Sequence, residues 1–346
     1  MGARAMRGPV RIGVLGAGWF ASRRHIPDIL THPDAVLAAI CRRDPAALSQ
    51  LAREFHPERS FTSWEEMLDQ GRLDAVLICS PNALHYEHAR AALERGLHVL
   101  LEKPMTLRHA EASELCAIAR ECGLLLSVAL NPPFWAHTHR IRDALQKRVG
   151  ALEAIGMFWT GNAEYVFGEA ERPADLPGVV PPTMYRADPG LCGGGYFMDG
   201  GPHLVSEVLW CTGQSPILVT ARMDRLPSDR QAAVTLQLAD GTLASILCIG
   251  NSRRGDRRVR NVFAGARGEI TVDGFDFRTS IRHDGETETF AESELPRVPG
   301  PVEDLVSALL HGTPLASPGE HGAAVTWVLE AAYTSARTGK TIAWHD

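Results

Sequence analysis

Val10-Arg11-Ile12-Gly13-Val14-Leu15-Gly16-Ala17-Gly18-Trp19-Phe20-Ala21 is the stretch that decides the fold. Val10 to Leu15 is a short apolar run suited to a buried strand, and it ends in a GxGxxA turn that opens a helix. Gly16 permits the tight turn, Gly18 lets backbone approach a pyrophosphate, and Ala21 lets the helix pack closely on the strand. The N–H groups at the start of that helix, and the partial positive charge there, suit the same pyrophosphate. Trp19 and Phe20 lie inside the turn and belong to the same cofactor-binding set. The plain alternative is an ordinary strand–helix turn with two glycines; its place directly after an apolar strand favours a dinucleotide site.

A chain of 346 residues suits about two domains, each burying its own core. Hydrophobic content of 45% and charged content of 22% are those of a soluble globular protein, and the net charge of −6 argues against nucleic acid or an anionic membrane as a partner. No apolar run has the length needed to span a bilayer. Arg4 and Arg7 ahead of an apolar run imitate a secretion signal, but Arg11 and the glycine turn interrupt it. Met6 stands where a myristoylation signal at Gly2 wants Ser or Thr. Seven cysteines without CxxC spacing read as reduced thiols, which points to a cytoplasmic protein.

Ala35 to Cys41 is the second strand, and the residues after it choose the cofactor. An NAD site expects an acid there to hold the ribose hydroxyls. Arg42 and Arg43 stand in that place and suit a 2′-phosphate, so NADP(H) is favoured and NAD(H) is the alternative. Asp44-Pro45 reads instead as an N-cap followed by proline at the first position of a helix running to about Phe55. Thr62-Ser63-Trp64-Glu65 is a capping box for another short helix. Leu73 to Ser80 is a buried strand that breaks at Pro81-Asn82; helix 83–95 ends at Gly96, and His98 to Leu101 is the next strand. Strand and helix alternate through this region, as a parallel sheet covered on both faces requires. Ligands bind such sheets at the carboxyl ends of the strands, where Gly16, Arg42, Ser80, Asn82, Glu102 and Lys103 fall. Lys103, fixed by Pro104 at a strand end, is placed for the nicotinamide end of a dinucleotide rather than as a solvated surface lysine.

A helix from Thr106 to Gly123 and a strand from Leu124 to Leu130 close this part. Helix 134–148 and the strand Ala151 to Thr160 precede a long irregular stretch, Gly161 to Gly195, of a length that is usually functional. That stretch delivers Gly193 to His203. Asp199 and His203 are four apart, so a helix starting near Gly200 or just earlier puts them on one face. An N-cap Asp with a packed histidine is the bland alternative; with Lys103 present, a histidine base with a carboxylate partner is favoured. From Ile217 onward the pattern is all-β, with strands at Ile217–Asp224, Ala232–Ala239, Thr242–Ile249, Arg258–Phe263, Glu269–Val272 and Phe275–Arg282. The Asp-Gly pairs at 240, 273 and 284 are hairpin turns, so the sheet is largely antiparallel, and its open face calls for a second subunit. Helices over about 301–311 and 318–338 finish the chain.

The GxGxxA turn, Ser80-Pro81-Asn82 with His85, Glu102-Lys103-Pro104, Gly193-Gly194-Gly195 and Asp199 to His203 occur in order, and with them the chain resembles the Gfo/Idh/MocA oxidoreductases. The resemblance runs from about residue 9 to the end. It implies a Rossmann dinucleotide-binding domain over 9–130, with a doubly wound parallel sheet. It also implies a substrate-binding and oligomerisation domain over 131–346, an α+β domain whose open sheet makes a homodimer or homotetramer. It further implies a nicotinamide cofactor and a sugar, glycoside or cyclic polyol as substrate. Carried over residue by residue, Lys103 matches the catalytic lysine, Asp199 the substrate-binding aspartate and His203 the catalytic histidine, so that a substrate hydroxyl is deprotonated while hydride passes to the nicotinamide. Arg186 is a weaker candidate for the substrate pocket. Two departures stand out: Ser206, then Glu207, where many relatives carry an acid three residues past the histidine, and Asn131-Pro132-Pro133-Phe134 where relatives often carry basic residues.

Two other functions are weighed beside this one. One keeps the cofactor bound and recycles it within a single reaction on a glycoside; the other is a non-catalytic sensor, disfavoured because lysine and histidine are both present. His85 and His88, three apart, have no visible third metal ligand, so His85 reads as a capping or cofactor-side residue and no metal is expected. His137 and His139 face different sides of a helix. Arg253 to Arg258 reads as a solvated hairpin connection. No GxxxxGK[ST], HExxH or GxSxG pattern supports phosphoryl transfer, zinc proteolysis or α/β-hydrolase chemistry.

Overall fold

A computed structural model describes residues 8–344 apart from 174–175 and 254–256. The signal-like residues 1–7 and the centre of the Arg253–Arg258 run therefore lie outside the described residues. The chain forms two compact units. The first comprises residues 1–129, 171–191 and 299–323; the second comprises 130–170, 192–298 and 324–346.

In the first unit, strands β1 (Val10–Leu15), β2 (Ala35–Cys41), β3 (Arg59–Phe61), β4 (Ala75–Ile78), β5 (His98–Leu101) and β6 (Leu126–Val128) form one parallel sheet in the order β3-β2-β1-β4-β5-β6. This is the doubly wound dinucleotide-binding order, with its switch point beside β1. The helices between strands are α1 (Trp19–Arg23), α2 (His25–Thr31), α3 (Pro45–Phe55), α4 (Trp64–Gln70), α5 (His85–Glu94) and α6 (His109–Cys122). Strands β1 and β4 are almost wholly buried, as strands covered on both faces must be. Val10, Ile12 and Val14 of β1 pack with Ile26, Ile29, Leu48, Leu51 and the later Val180, Val302 and Leu305 in one core.

Local chemistry sets the helix ends. Asp44 caps α3, accepting from the N–H groups of Ala46 and Ala47, with Pro45 at the first position. Gly96 and Gly123 end α5 and α6 with φ of +77° and +67°. Three boundaries differ from expectation. The helix after the glycine turn is split at Arg24 because Pro27 has no N–H and its ring would strike the carbonyl four residues back, that of Arg23. Helix α4 is capped by Ser63, not Thr62: its Oγ accepts from Glu66 N–H at 3.1 Å. Helix α6 begins at His109 rather than Thr106, whose hydroxyl is instead turned onto the Arg108 carbonyl.

In the second unit, α7 (Ala136–Lys147), β7 (Leu152–Thr160), α8 (Pro189–Cys192, which starts in the first unit) and α9 (Tyr196–Thr212) precede β8 (Pro216–Met223), β9 (Gln231–Leu238), β10 (Leu243–Ile249), β11 (Arg258–Gly265), β12 (Gly268–Asp273), β13 (Arg278–His283) and β14 (Glu286–Phe290). Helix α10 (Pro301–His311) belongs to the first unit, α11 (Gly319–Thr338) carries the chain back, and β15 (Ile342–Ala343) ends the sheet. The sheet order is β14-β13-β12-β11-β7-β10-β9-β8-β15, antiparallel at every pairing except β7 with β10. The Asp-Gly pairs at 240, 273 and 284 join β9 to β10, β12 to β13 and β13 to β14. Phe275 to Phe277 is turn rather than strand, because Phe277 takes a left-handed backbone at φ +48°. Along β9 and β10 residues alternate between buried and exposed, so one face is core and the other carries Leu243 and Leu247 into solvent.

Candidate active site

The candidate residues fall into two sets, one in each unit. In the first, the glycine turn is locked to β2 by the Cys41 carbonyl, which accepts from Gly16 N–H at 3.1 Å and Ala17 N–H at 3.0 Å. Gly16 sits at φ +78°, and a Cβ there would lie 2.6 Å from Ser80 N, so only glycine lets the two loops meet. Helix α1 has five residues, too short for a strong macrodipole, and Gly16 and Ala17 spend their N–H groups on Cys41, so an anion at this turn would have to be met by the N–H groups from Gly18 onward.

Arg42 leans over this turn. Its Nη1 donates to the Ala17 carbonyl at 3.0 Å and lies 3.2 Å from where a Gly18 Cβ would stand. Burial pushes its pKa below that of an ordinary arginine, and its buried Nε has no protein partner among the described residues. Asp44 is committed to capping α3 and Arg43 is exposed. A glycine cradle beside a guanidinium with an unsatisfied donor fits the phosphates of a dinucleotide.

At the ends of β4 and β5 the side chains form a buried network. His85 is fully buried, with Nδ1 2.8 Å from the Pro104 carbonyl and Nε2 2.9 Å from the Ser80 carbonyl, so it braces the loop of Lys103 rather than facing solvent. Burial lowers its pKa, opposed by the two carbonyls. His88 Nδ1 meets Ser80 Oγ at 2.9 Å, and burial brings its pKa down to about 4. Glu102 contacts His25 Nε2 at 2.7 Å with one oxygen and accepts Lys103 N–H at 3.1 Å with the other. Among the described residues no cluster of His, Cys, Asp and Glu suits a metal ion.

The returning segment 171–191 lies on this same unit. Trp19 Nε1 donates to the Pro177 carbonyl at 2.7 Å, and Gly178 packs so closely on the indole that a Cβ would lie 2.7 Å from Cδ1. Gln50 donates to the Val179 carbonyl, Val180 is buried, and Tyr185 Oη donates to Asn82 Oδ1 at 3.4 Å. Arg186 stacks over the Tyr185 ring at 4.7 Å, and Phe20 meets His25 edge-on at 5.5 Å.

In the second unit, α9 carries Asp199 and His203. From Tyr196 to Cys211 every residue of the helix is buried except these two. The N-cap is Gly195, so Asp199 lies within the helix rather than capping it. What fixes the helix start is Asp229: its carboxylate accepts from Gly195 N–H at 3.1 Å and Phe197 N–H at 2.8 Å and from the Tyr333 hydroxyl. Nothing local in the sequence marks Asp229 or Tyr333, whose partners lie more than thirty residues away. Glu207 is turned into the core, where both oxygens accept from Asn261 Nδ2 and burial raises its pKa, so it does not stand in for an acid at position 206.

Aromatic rings surround His203. Trp159 lies 6.0 Å away at 19° and Trp135 6.3 Å away at 33°. Phe277 stacks on His137 at 4.5 Å and on Trp135 at 4.8 Å. Glu292 holds this group in place by accepting from Ala136 N–H and His137 N–H, which caps α7, and by contacting His137 Nδ1 at 2.6 Å. His139 instead faces the Pro133 carbonyl and the Trp210 ring, on another side of the helix.

Comparison with known proteins finds a match for each part of the chain. Residues 10–130 match the oxidoreductase family with an NAD-binding Rossmann fold, and residues 154–271 match the GFO/IDH/MocA C-terminal domain. The chain is 32% identical over 273 residues, 78% of this chain and 76% of the other, to dTDP-3,4-didehydro-2,6-dideoxy-alpha-D-glucose 3-reductase of Saccharopolyspora spinosa. The chain belongs to the Gfo/Idh/MocA oxidoreductase family. It is also 30% identical over 205 residues to D-glucoside 3-dehydrogenase of Escherichia coli (strain K12), of whose length it spans about half, 54%. The crystal structure of an oxidoreductase domain protein from Kribbella flavida shares the fold across 98% of this chain and 100% of that one, with a TM-score of 0.84 at 21% identity. Among the described residues no helix is long and apolar enough to cross a membrane.

Proposed function

We propose that this family member transfers hydride between a nicotinamide cofactor, NADP(H) in preference to NAD(H), and a hydroxyl-bearing carbon of a sugar, glycoside or cyclic polyol. The observation that carries this is the partial solvent access of Asp199 and His203 on a helix otherwise buried from Tyr196 to Cys211, in a chain whose Lys103 stands at a strand end beside a dinucleotide cradle. A carboxylate and an imidazole reaching solvent from a mostly buried helix surface support hydroxyl chemistry over plain packing. The relatives named above act on glucose derivatives, which supports the substrate class.

Gly16, Gly18, Trp19, Phe20, Arg42, Arg43, Ser80 and Asn82 would hold the dinucleotide, with Arg42 on the 2′-phosphate. When bound, the nicotinamide supplies the hydride acceptor or donor. His203 takes the proton from the substrate hydroxyl, a cationic Lys103 stabilises the negative charge developing on that oxygen, and Asp199 accepts a hydrogen bond from the neighbouring hydroxyl. Glu102 and His85 position the Lys103 loop, and Arg186 binds the periphery. The exposed sheet face, with Leu243 and Leu247, is covered by a second copy of the chain, giving a homodimer or homotetramer.

A second mode is favoured by the segment 177–185. Its bonds to Trp19 and Asn82 strap the two loops that would hold the cofactor, which suits a dinucleotide retained and recycled through successive turnovers. Fluorescence titration with NADPH and NADH, followed by a screen of sugars and glycosides for cofactor reduction, tests the proposal. Tight NADPH binding with reduction by a glycoside supports it; a protein that binds neither dinucleotide refutes it. Activity without added cofactor identifies the recycling mode.

A further inference from the structure

The aromatic surface beside His203 extends further than one sugar ring requires. From the imidazole it passes to Trp159 at 6.0 Å and from there to Phe275 at 6.2 Å, edge-on. On the other side it passes through Trp135 to Phe277, which stands 6.0 Å from Phe275. Phe275 thus stands two ring contacts away from His203.

Phe275 is not part of the core. It is 44% exposed, at the tip of the β12–β13 hairpin, although the hairpin could have ended in polar turn residues. Its neighbour Phe277 adopts φ +48°, a conformation that costs a bulky residue energy and persists only where the surroundings enforce it. The surroundings do so here: the Asp276 carbonyl accepts from Glu292 N–H at 3.1 Å, and the same Glu292 caps α7 and holds His137 under the Phe277 ring. The turn is therefore fastened rigidly with an exposed ring outermost. Arg257 lies over that ring at 5.3 Å.

We infer that the Gly274–Phe277 turn forms an aglycone subsite, in which Phe275 stacks on a second ring, aromatic or pyranose, attached to the sugar that is oxidised. The substrates are thus glycosides rather than free monosaccharides. The negative π-face of Phe275 attracts the C–H groups of a pyranose face or the edge of an aryl ring. This inference rests on the sugar-oxidising function proposed above.

The test is binding, measured by intrinsic tryptophan fluorescence with methyl and phenyl D-glucopyranosides of both anomers, in the wild type, Phe275→Ser and Phe275→Tyr. The wild type is expected to bind the phenyl glucoside of one anomer about fivefold more tightly than the methyl glucoside. Phe275→Ser should erase that ratio and Phe275→Tyr should keep it, with NADPH affinity the same in all three. Equal affinity of the wild type for both glucosides, failure to bind either, or a preference that survives in Phe275→Ser would overturn the subsite. Cofactor reduction is read separately: a phenyl preference without reduction sinks the dehydrogenase function and leaves the subsite standing, while reduction without the preference does the reverse.

Discussion

The imidazole of His25 lies 2.7 Å from one oxygen of Glu102, and the other oxygen of Glu102 receives the backbone N–H of Lys103 at 3.1 Å. Both side chains are nearly buried. Burial alone would raise the Glu102 pKa, but the His25 hydrogen bond, the His25 charge and the Lys103 charge outweigh it and hold the carboxyl below its usual range. Its stabilising contribution is present above the unfolded pKa and is lost as pH falls through the lower folded value. In His25→Ala the carboxylate loses its strongest partner, at a cost of about 1–3 kcal/mol. The acid limb of the kcat against pH profile should therefore move to higher pH; an unchanged profile would show that the pair does not support Lys103.

Arg42→Ala removes the guanidinium over Gly18. Charge-assisted hydrogen bonds of this kind contribute about 1.5–3 kcal/mol, so NADPH affinity should fall roughly ten- to hundredfold while NADH affinity stays nearly constant. Fluorescence titration of both cofactors measures the ratio directly.

Asp304, in the first turn of α10, is raised by burial to about 6, partly offset by the Ala316 N–H it accepts. A folded-state pKa above the unfolded one means that stability declines as pH rises from about 4 to about 6 and is flat beyond. Asp304→Asn should thus be more stable than the wild type at pH near 8, by about 1 kcal/mol after allowing for partial exposure, and so melt at a higher temperature there, and match it near pH 4. Thermal melts at the two pH values check the sign.

A Cβ at Gly195 would lie 2.1 Å from the Asp229 carbonyl oxygen and 2.2 Å from its nitrogen, both backbone. Gly195→Ala should cost about 3 kcal/mol or more, because the start of α9 must move. Gly300→Ala meets nothing within 4 Å and serves as the control. Urea unfolding of the two variants should separate them clearly.

Short-range chemistry made most of the fold legible. The GxGxxA turn after Val10–Leu15, the Asp44-Pro45 cap, the glycines ending α5 and α6, and the Asp-Gly hairpins each act within a few residues of themselves. The four-residue spacing of Asp199 and His203 likewise put both on α9 as the partly exposed residues between Tyr196 and Cys211. What stayed hidden acts over distance. Glu292 caps a helix more than 150 residues earlier, and Tyr333 reaches Asp229 from a separate helix, so neither leaves a periodic trace. Strand β14, Glu-Thr-Glu-Thr-Phe, carries no apolar alternation to read, because an edge strand buries little and needs few apolar residues. The left-handed Phe277 contradicts its own residue type and is held there by tertiary contacts alone.

If Lys103 handles charge at the reacting oxygen, as proposed, Lys103→Met removes that charge while keeping the length of the side chain. Glycoside-dependent reduction of NADP and the affinity for NADPH are to be measured side by side in the variant and the wild type. Turnover is expected to fall by about a hundredfold or more with NADPH affinity nearly intact. Undiminished turnover in Lys103→Met would contradict it.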